Sequence, residues 1–238
     1  MCAIRHRAAS GSAQVHHGRV RITRLGHAAL LLETSEARVL VDPGAFSLDA
    51  AFELSDLDAV VVTHQHPDHL HPARAADVVA ASPGAVFLAD PETAEQQGGP
   101  WRTHADGVVT QVGDITLTGV GARHATILPS IPVVANVGVL VEGPSSDGGT
   151  TTLFHPGDSY ESTPAGVDLL ALPLSAPWAR ISDTVAFLSG VAPRGFLPIH
   201  DATIADVAYD LYWNHAVNHG GVDAEQAHRL APGDTLDA

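Results

Sequence analysis

The run Ala59-Val60-Val61-Val62 is the feature that most restricts how this chain of 238 residues can fold. It holds four apolar residues in succession, and three of them are β-branched. Such a run predicts a strand that is buried on both faces, and strands of this kind occur in sheets that are covered on both sides. Because the strand leads directly into Thr63 and His64, polar side chains are delivered to the edge of a buried sheet.

Short apolar runs separated by turn residues continue along the rest of the chain. Apolar residues at helical spacing after Pro72 predict one helix, and two more are predicted over 182–189 and 204–217. A hairpin loop rich in Gly, Ser and Pro is predicted at 142–150. Two strand-rich halves with interspersed helices indicate an α/β fold in which two sheets pack together under helices. Further strands are predicted over 21–25, 30–33, 38–41, 86–88, 108–110, 115–117, 137–141, 151–154, 168–172 and 195–199.

Composition indicates a folded, acidic protein. Hydrophobic residues make up 45% of the chain and charged residues 16%, the net charge is −15, and every basic residue is Arg because the chain has no Lys. An acidic surface repels phosphate backbones and anionic headgroups, so we expect neither nucleic acid nor a membrane as a partner. A small-molecule substrate is expected instead, and a small anion is compatible because bound metal cations reverse the local field.

The chain is expected to form one domain over residues 19–238, preceded by a disordered segment over residues 1–18. That segment has no apolar stretch, so it is not a secretory signal. The chain has no run of about 18 apolar residues, so no membrane span is expected. Its single cysteine, Cys2, cannot form an intrachain disulfide. These features predict a cytoplasmic protein and leave its oligomeric state open, homo-oligomers included.

The cluster after the first buried strand carries the predicted chemistry. Zinc and similar metals favour imidazole nitrogen and carboxylate oxygen as ligands. Residues two apart in an extended chain point to the same side, so His64 and His66 can reach one metal ion together. The chain turns at Pro67, which lets Asp68 and His69 face a second ion. The alternative interpretation is a set of surface histidines near the start of a helix.

Three more ligand-type residues follow predicted strands, namely His124, Asp158 and His200. Each of them alone is more often a hydrogen-bonded loop residue than a metal ligand. Together with the first cluster, however, they would complete two metal sites.

These residues resemble the motifs of the metallo-β-lactamase superfamily. His64-x-His66-x-Asp68-His69 is similar to the defining motif of that family, Gly157-Asp158-Ser159 to its later Gly-Asp-Ser/Thr element, and Pro198-x-His200 to its final histidine element. The resemblance runs from about Val20 to His200. The segments Leu25-Gly26-His27-Ala28 and Val41-Asp42-Pro43 resemble the branch that contains ascorbate-6-phosphate lactonase.

The resemblance implies a four-layer αββα metallo-β-lactamase sandwich with a dinuclear site at one edge of its two sheets. It implies two divalent metal ions, most commonly Zn²⁺, with Mn²⁺, Fe²⁺ or Ni²⁺ as alternatives, and catalytic roles for Asp68 and Asp158. It assigns one ion to His64, His66 and His124, the other to Asp68, His69 and His200, and a bridging position to Asp158.

The expected activity is hydrolysis of a small-molecule lactone, ester, amide or phosphodiester by a hydroxide that bridges the two metal ions. Two alternatives stay open, an iron-dependent redox enzyme or dioxygenase of the same fold and a non-catalytic metal-binding domain. The sequence does not identify the group that protonates the leaving group. A nuclease is disfavoured because it needs a basic groove.

Weaker indications surround the motifs. His27 is either a pocket residue that supports the metal site or a buried, hydrogen-bonded histidine. Asp201 is a candidate for orienting its neighbour His200, although adjacent side chains usually point apart. Tyr160, Trp178 and Arg180 either line the pocket or belong to the packing and the surface. His71 adds no ligand of the family pattern and is interpreted as a solvated residue at the start of a helix. His215 and His219 have a helical spacing that can bind metal, but without a third partner they are interpreted as surface residues.

Overall fold

The structure is a computed structural model that describes residues 18–238. The predicted disordered segment therefore lies, but for Gly18, outside the described residues, and so does Cys2. Within the described part the α-helices are α1 (Ala75–Ala81), α2 (Pro91–Gln97), α3 (Ile181–Val191) and α4 (Asp206–His219). The strands are β1 (Arg21–Arg24), β2 (Leu30–Glu33), β3 (Arg38–Val41), β4 (Ala59–Val62), β5 (Val86–Ala89), β6 (Trp101–Thr103), β7 (Val109–Val112), β8 (Ile115–Val120), β9 (Gly138–Pro144), β10 (Thr150–His155), β11 (Leu169–Pro173), β12 (Gly195–Ile199) and β13 (Thr235–Asp237).

The strands form two mixed sheets. The first sheet has the order β13-β1-β2-β3-β4-β5-β6 and the second has the order β12-β11-β10-β9-β8-β7. Strands β3 to β6 run parallel in the first sheet, and β10 to β12 run parallel in the second. Loops that follow parallel strands emerge at the same edge of a sheet, so residues far apart in sequence meet there.

Alternate residues of β4 face two different cores. Ala59 and Val61 pack between the two sheets, whereas Val60 and Val62 pack with residues of α1 and α2. All four side chains of β4 are fully buried, which confirms the prediction of a strand covered on both faces. Helices α1 and α2 therefore form a layer outside the first sheet.

The second sheet is covered in the same way on its far side. Leu170 and Phe196 pack against Leu188 of α3 and Trp213 of α4, while the alternate residue Leu197 faces the core between the sheets. The layers are therefore helix, sheet, sheet and helix, which confirms the expected four-layer αββα architecture.

Several predicted boundaries were wrong by a few residues. The first predicted helix, which allowed Pro72 in its first turn, begins only at Ala75. The predicted loop over 142–150 shortens to 145–149 because β9 extends to Pro144 and β10 begins at Thr150. Three elements were not predicted, namely α2, β6 and β13. Their sequences are short and mostly polar, so packing and strand pairing at the sheet edges, rather than periodicity, define them.

Among residues 18–238, no helix is both long enough and apolar enough to cross a membrane.

Candidate metal centre

The structure brings all seven predicted ligands to one edge of the two sheets and adds His27 to them. Their candidate ligand atoms form two groups, and within each group these atoms lie within 4.8 Å of one another. One group consists of His64, His66, His124 and Asp158, and the other of His27, Asp68, His69 and His200.

Strand ends position these side chains. His64 follows β4 in the first sheet, while Asp158 and His200 follow β10 and β12 in the second. His124 follows β8, which pairs antiparallel with β9, as does β10, so it emerges at the same edge as Asp158. The 64–69 loop is closely packed, because a Cβ atom on Gly44 would lie 1.7 Å from the carbonyl oxygen of Asp68.

Hydrogen bonds at Nδ1 orient three of the imidazole rings. His69 Nδ1 lies 2.7 Å from Asp42 Oδ2, His124 Nδ1 lies 2.5 Å from the Ala125 carbonyl oxygen, and His200 Nδ1 lies 2.8 Å from the Ser175 carbonyl oxygen. Carbonyl and carboxylate oxygens only accept, so each Nδ1 must carry the proton. In the neutral ring this leaves the lone pair on Nε2, which is the atom that faces the site.

Asp42 and Thr63 set the tautomer of His64 in a similar way. Asp42 Oδ1 accepts from the Thr63 backbone N–H and Oδ2 accepts from the Thr63 hydroxyl, both at 2.8 Å. Because that hydroxyl donates to Asp42, its oxygen accepts from His64 Nδ1 at 3.1 Å. One buried carboxylate, Asp42, thus supports His69 directly and His64 through Thr63. In the sequence, Asp42 stood out only as part of the family-like segment Val41-Asp42-Pro43.

The distances between the atoms that face the site, and their lack of hydrogen-bond partners, fit a metal site. Asp158 Oδ1 lies 3.0 Å from His69 Nε2, and Asp158 Oδ2 lies 3.1 Å from His200 Nε2 and 3.3 Å from His124 Nε2. Three ring nitrogens and Asp158 Oδ1 are nevertheless buried without a hydrogen-bond partner in the described part of the chain. Ligand atoms on one tetrahedral Zn²⁺ lie about 3.4 Å apart, given metal–nitrogen bonds of about 2.1 Å. Close but unbonded atoms of this chemistry fit shared divalent cations.

His27 differs from the other histidines in this region. Its Nδ1 accepts from the Ala202 backbone N–H at 3.3 Å, so the neutral ring carries its proton on Nε2. Nε2 lies 3.3 Å from Asp68 Oδ2 and can donate to it. Burial lowers the pKa of His27, which favours the neutral form. This geometry is that of a hydrogen-bond donor to Asp68 rather than of a metal ligand.

The two carboxylates of the site are held in their ionised form. Burial alone would raise the pKa of Asp158, but the nearby His69 and His200 lower it well below its usual range. Burial opposes ionisation of Asp68 too, but the nearby rings of His200 and His27 lower its pKa strongly. Ionised carboxylates are the form that binds a cation.

The histidines divide into two electrostatic classes. Burial lowers the pKa of His64 and His66, which keeps both neutral and able to bind metal. Burial also disfavours charge on His69 and His200, but Asp158 outweighs it and raises both pKa values, that of His200 to about 9. Protons and cations therefore compete for Nε2 of these two rings.

Backbone strain is concentrated around the same edge. His27, Asp42 and His200 have φ values of 48°, 47° and 54°, in the left-handed region that non-glycine residues seldom adopt. Such conformations persist only where surrounding contacts enforce them, and they cluster at functional sites.

The weaker sequence indications have mixed outcomes. Asp201 does not reach the His200 ring but pairs with Arg24 and accepts from the Tyr209 hydroxyl at 3.0 Å. The Tyr160 hydroxyl donates to the Pro173 carbonyl oxygen at 2.6 Å. Exposed positions are Arg180, His215 and His219, whereas the half-buried His71 packs against Phe52.

Trp178 was not distinguished from packing residues by sequence, and it contacts a candidate ligand. Its Nε1 donates to Asp158 Oδ2 at 2.9 Å. No local pattern could have identified this contact, because the loop that carries Trp178 follows a different strand from the one that carries Asp158.

Comparisons with known proteins agree with this architecture. A family model described as a beta-lactamase superfamily domain matches residues 21–200. Protein Rv0786c of Mycobacterium tuberculosis is 41% identical over 195 residues, which cover 82% of this chain and 90% of that relative. A UPF0173 metal-dependent hydrolase of Caldivirga maquilingensis is 25% identical over 229 residues, which cover 89% of this chain and 95% of that relative.

A solved structure shows the same fold. The metallo-beta-lactamase fold protein YhfI from Bacillus subtilis matches with a TM-score of 0.67 and 15% identity, covering 93% of this chain and 100% of that one. The resemblance to the ascorbate-6-phosphate lactonase branch stays a prediction. Because the family model spans most of the chain and the layers agree, this chain belongs to the beta-lactamase superfamily and has its metallo-β-lactamase fold.

Proposed function

We propose that this chain is a metal-dependent hydrolase that binds two divalent cations and cleaves a small-molecule lactone, ester, amide or phosphodiester. The observation that carries the proposal is the set of buried ligand atoms without hydrogen-bond partners in the described residues, contributed by His69, His124, His200 and Asp158. The UPF0173 metal-dependent hydrolase of Caldivirga maquilingensis, which aligns over 95% of its length, supports the same activity.

Seven residues are proposed as ligands. Asp158 is assigned the bridging position because its carboxylate faces His69 and His200 of one group and His124 of the other. We assign His27 to support Asp68 and not to bind metal, because its Nδ1 is occupied by a backbone donor. The proposed ligands are His64, His66 and His124 for one cation, and Asp68, His69 and His200 for the other, with Asp158 shared.

Two bound divalent cations would supply Lewis acidity, lowering the pKa of water towards neutrality and polarising a carbonyl or phosphoryl oxygen. The protein itself supplies negative charge at the site and fixes the orientation of the imidazole rings. Asp68 and Asp158 keep two negative charges at the site, and Asp42 together with two backbone carbonyl groups fixes the rings of His69, His124 and His200.

The surroundings of the site support a small substrate with an apolar part. Phe46 is 51% exposed, and its ring packs edge-on against His27 at 5.2 Å. The 125–134 loop begins and ends beside His124, where His124 N–H donates to the Val134 carbonyl oxygen at 3.1 Å. This loop exposes Leu128 and Ile131, so a loop anchored beside a proposed ligand carries exposed apolar side chains.

The proposal is tested by metal analysis of protein purified without added metal, followed by a panel of lactones, esters, amides and phosphodiesters. We expect two ions per chain and turnover that EDTA abolishes and divalent metal restores. Asp158→Ala should lose several orders of magnitude of turnover and keep its fold, whereas Asp147→Ala, in the exposed 145–149 loop, should behave as wild type. One or fewer ions after metal supplementation, or normal turnover of Asp158→Ala, would contradict the proposal.

The same preparation tests the two alternatives. Tightly bound iron together with oxygen consumption would favour the redox enzyme, and two ions without turnover of any substrate class would favour the non-catalytic domain.

Binding to single-stranded RNA and duplex DNA at moderate salt provides the test for a nuclease. We expect no micromolar binding to either, because the chain has a net charge of −15 and no Lys.

A further inference from the structure

The 174–180 loop, which connects β11 to α3, contacts candidate ligands of both metal groups. The carbonyl oxygen of Ser175 accepts from His200 Nδ1 at 2.8 Å. Three residues further on, Trp178 Nε1 donates to Asp158 Oδ2 at 2.9 Å. This loop therefore holds one imidazole ring and the carboxylate that we assign as the bridge.

The indole ring of Trp178 lies close to one histidine ring of each group. Its centroid is 6.0 Å from the His124 ring and 6.1 Å from the His200 ring. Tyr160 packs edge-on against it at 4.9 Å. Tyr160 is itself fixed, because its hydroxyl contacts Thr184 Oγ1 at 3.0 Å and its ring stacks on Phe187 at 4.6 Å. The orientation of Trp178 is thus set by side chains anchored on α3.

The chemistry of the contact is specific to an indole. An indole N–H only donates a hydrogen bond and carries no charge. It therefore holds Asp158 without adding a positive charge beside the cations. A carboxylate oxygen has two lone pairs, and a donor on one of them leaves the other free to face a cation. Donors of this kind restrict how a ligand can rotate and tune its affinity for metal.

We propose that Trp178 is a positioning residue whose indole N–H fixes the plane of the Asp158 carboxylate between the two cations. The proposal rests on the proposed metal site. It predicts that Trp178 raises metal affinity through its N–H group, and that its ring senses metal occupancy because it lies beside one ligand ring of each group.

Metal affinity is the first test. Zn²⁺ affinity is measured by competition with a chromophoric chelator, without any substrate. Trp178→Phe keeps an aromatic ring but removes the donor, and we expect it to weaken binding by about 10- to 100-fold, as is usual when such a donor is lost. The matched control is Trp213→Phe, because Trp213 is buried on α4 against Phe196, and it should bind as wild type does.

A second variant separates the hydrogen bond from ring packing. Replacing Trp178 with 3-benzothienylalanine keeps the shape of the indole and substitutes sulfur for the N–H. We expect the same loss of Zn²⁺ affinity as in Trp178→Phe, with unchanged circular dichroism. Wild-type affinity in this variant would overturn the proposal, because the ring alone would then account for the role of Trp178.

Fluorescence provides an independent readout. In the Trp101→Phe/Trp213→Phe double variant, Trp178 is the only remaining tryptophan, and titration with paramagnetic Ni²⁺ should quench most of its emission by two equivalents. Trp178→Phe should show little quenching. Unquenched emission with two bound Ni²⁺ would refute the placement of the ring. Failure of the wild type to bind metal would instead refute the proposed function.

Discussion

At the scale of single residues, Asp42 shows how one buried carboxylate orients several candidate ligands. It accepts from His69 Nδ1 and from both the backbone and the hydroxyl of Thr63. It has a left-handed backbone conformation with φ 47°, which Asn and Asp adopt more readily than other non-glycine residues. Its importance therefore lies in orientation and tautomer rather than in direct contact with metal.

Replacing Asp42 with Asn tests this role. Asn accommodates the same backbone conformation, but its amide N–H group opposes the Nδ1 proton of His69. We expect Zn²⁺ affinity to fall by about 10- to 100-fold, measured by chelator competition, while the fold is retained. Asp147→Asn is the control at an exposed position, and wild-type affinity in Asp42→Asn would contradict the assigned role.

His104 is a second buried residue with a distinct prediction. Neither of its ring nitrogens has a hydrogen-bond partner among the described residues, and burial lowers its pKa from 6.5 to about 4. Because the pKa of His104 is lower in the folded state, its contribution to the free energy of unfolding is fully present above pH 6.5. That stability is lost as the pH falls towards 4, because the unfolded chain takes up the proton first.

His104→Leu should therefore be less sensitive to acid than wild type. We expect wild type to lose about 2 kcal/mol more of its free energy of unfolding than the variant between pH 7.5 and pH 5. The measurement is urea denaturation of both proteins at the two pH values. Parallel losses would show that His104 titrates normally.

At the scale of secondary-structure elements, α2 shows how a short helix supports the sheet edge that carries the candidate metal centre. Glu92 of α2 accepts from the Ala135 backbone N–H at 3.0 Å and from Gln65 Nε2 at 3.4 Å. Gln65 stands between two candidate ligands, so α2 links the first motif to the segment that follows His124. The helix begins at a cap, since Asp90 Oδ1 accepts from the backbone N–H groups of Glu92 and Thr93 at 3.0 and 3.2 Å.

Removing that cap should destabilise the element. Asp90→Ala is expected to lower the free energy of unfolding by about 1 kcal/mol, a typical cost for losing an N-cap. Asp90→Asn keeps the accepting oxygen and should lie close to wild type. Chemical denaturation of the three proteins distinguishes these outcomes, and equal losses in both variants would argue against a capping role.

At the scale of the whole molecule, the candidate metal centre joins the two sheets. The 64–69 motif leaves the first sheet after β4, whereas His124, Asp158 and His200 leave the second sheet after β8, β10 and β12. Bound cations would therefore link the sheets at one edge. Part of the stability of the domain is then expected to depend on metal.

Metal removal tests this link. A ligand that binds only the folded state adds about 2.7 kcal/mol when its concentration is 100 times its Kd. We expect EDTA to lower the thermal midpoint by several degrees and Zn²⁺ to restore it, as measured by scanning calorimetry. The Asp158→Ala variant should respond weakly to both treatments. An unchanged midpoint in wild type would contradict a cation shared between the sheets.

The sequence by itself determined the secondary-structure elements that depend on residues adjacent in the chain. The run over β4 is apolar at every position, so its burial follows from composition, and β12 was predicted with its observed bounds, Gly195–Ile199. The motif from His64 to His69 lies within one loop, so its spacing alone predicts ligands directed to one place. Resemblance to a known family supplied the distant candidate ligands, because the family motifs are specific although they lie far apart in the sequence.

Tertiary structure alone decided the contacts that support those ligands. Asp42 reaches His69 across 27 residues, and Ala202 reaches His27 across 175, so neither contact leaves a periodic trace in the sequence. The same holds for Trp178 and Asp158, which follow different strands of the second sheet. Strand order determines which loops meet at the sheet edge, and that order is set by packing between layers rather than by local propensity.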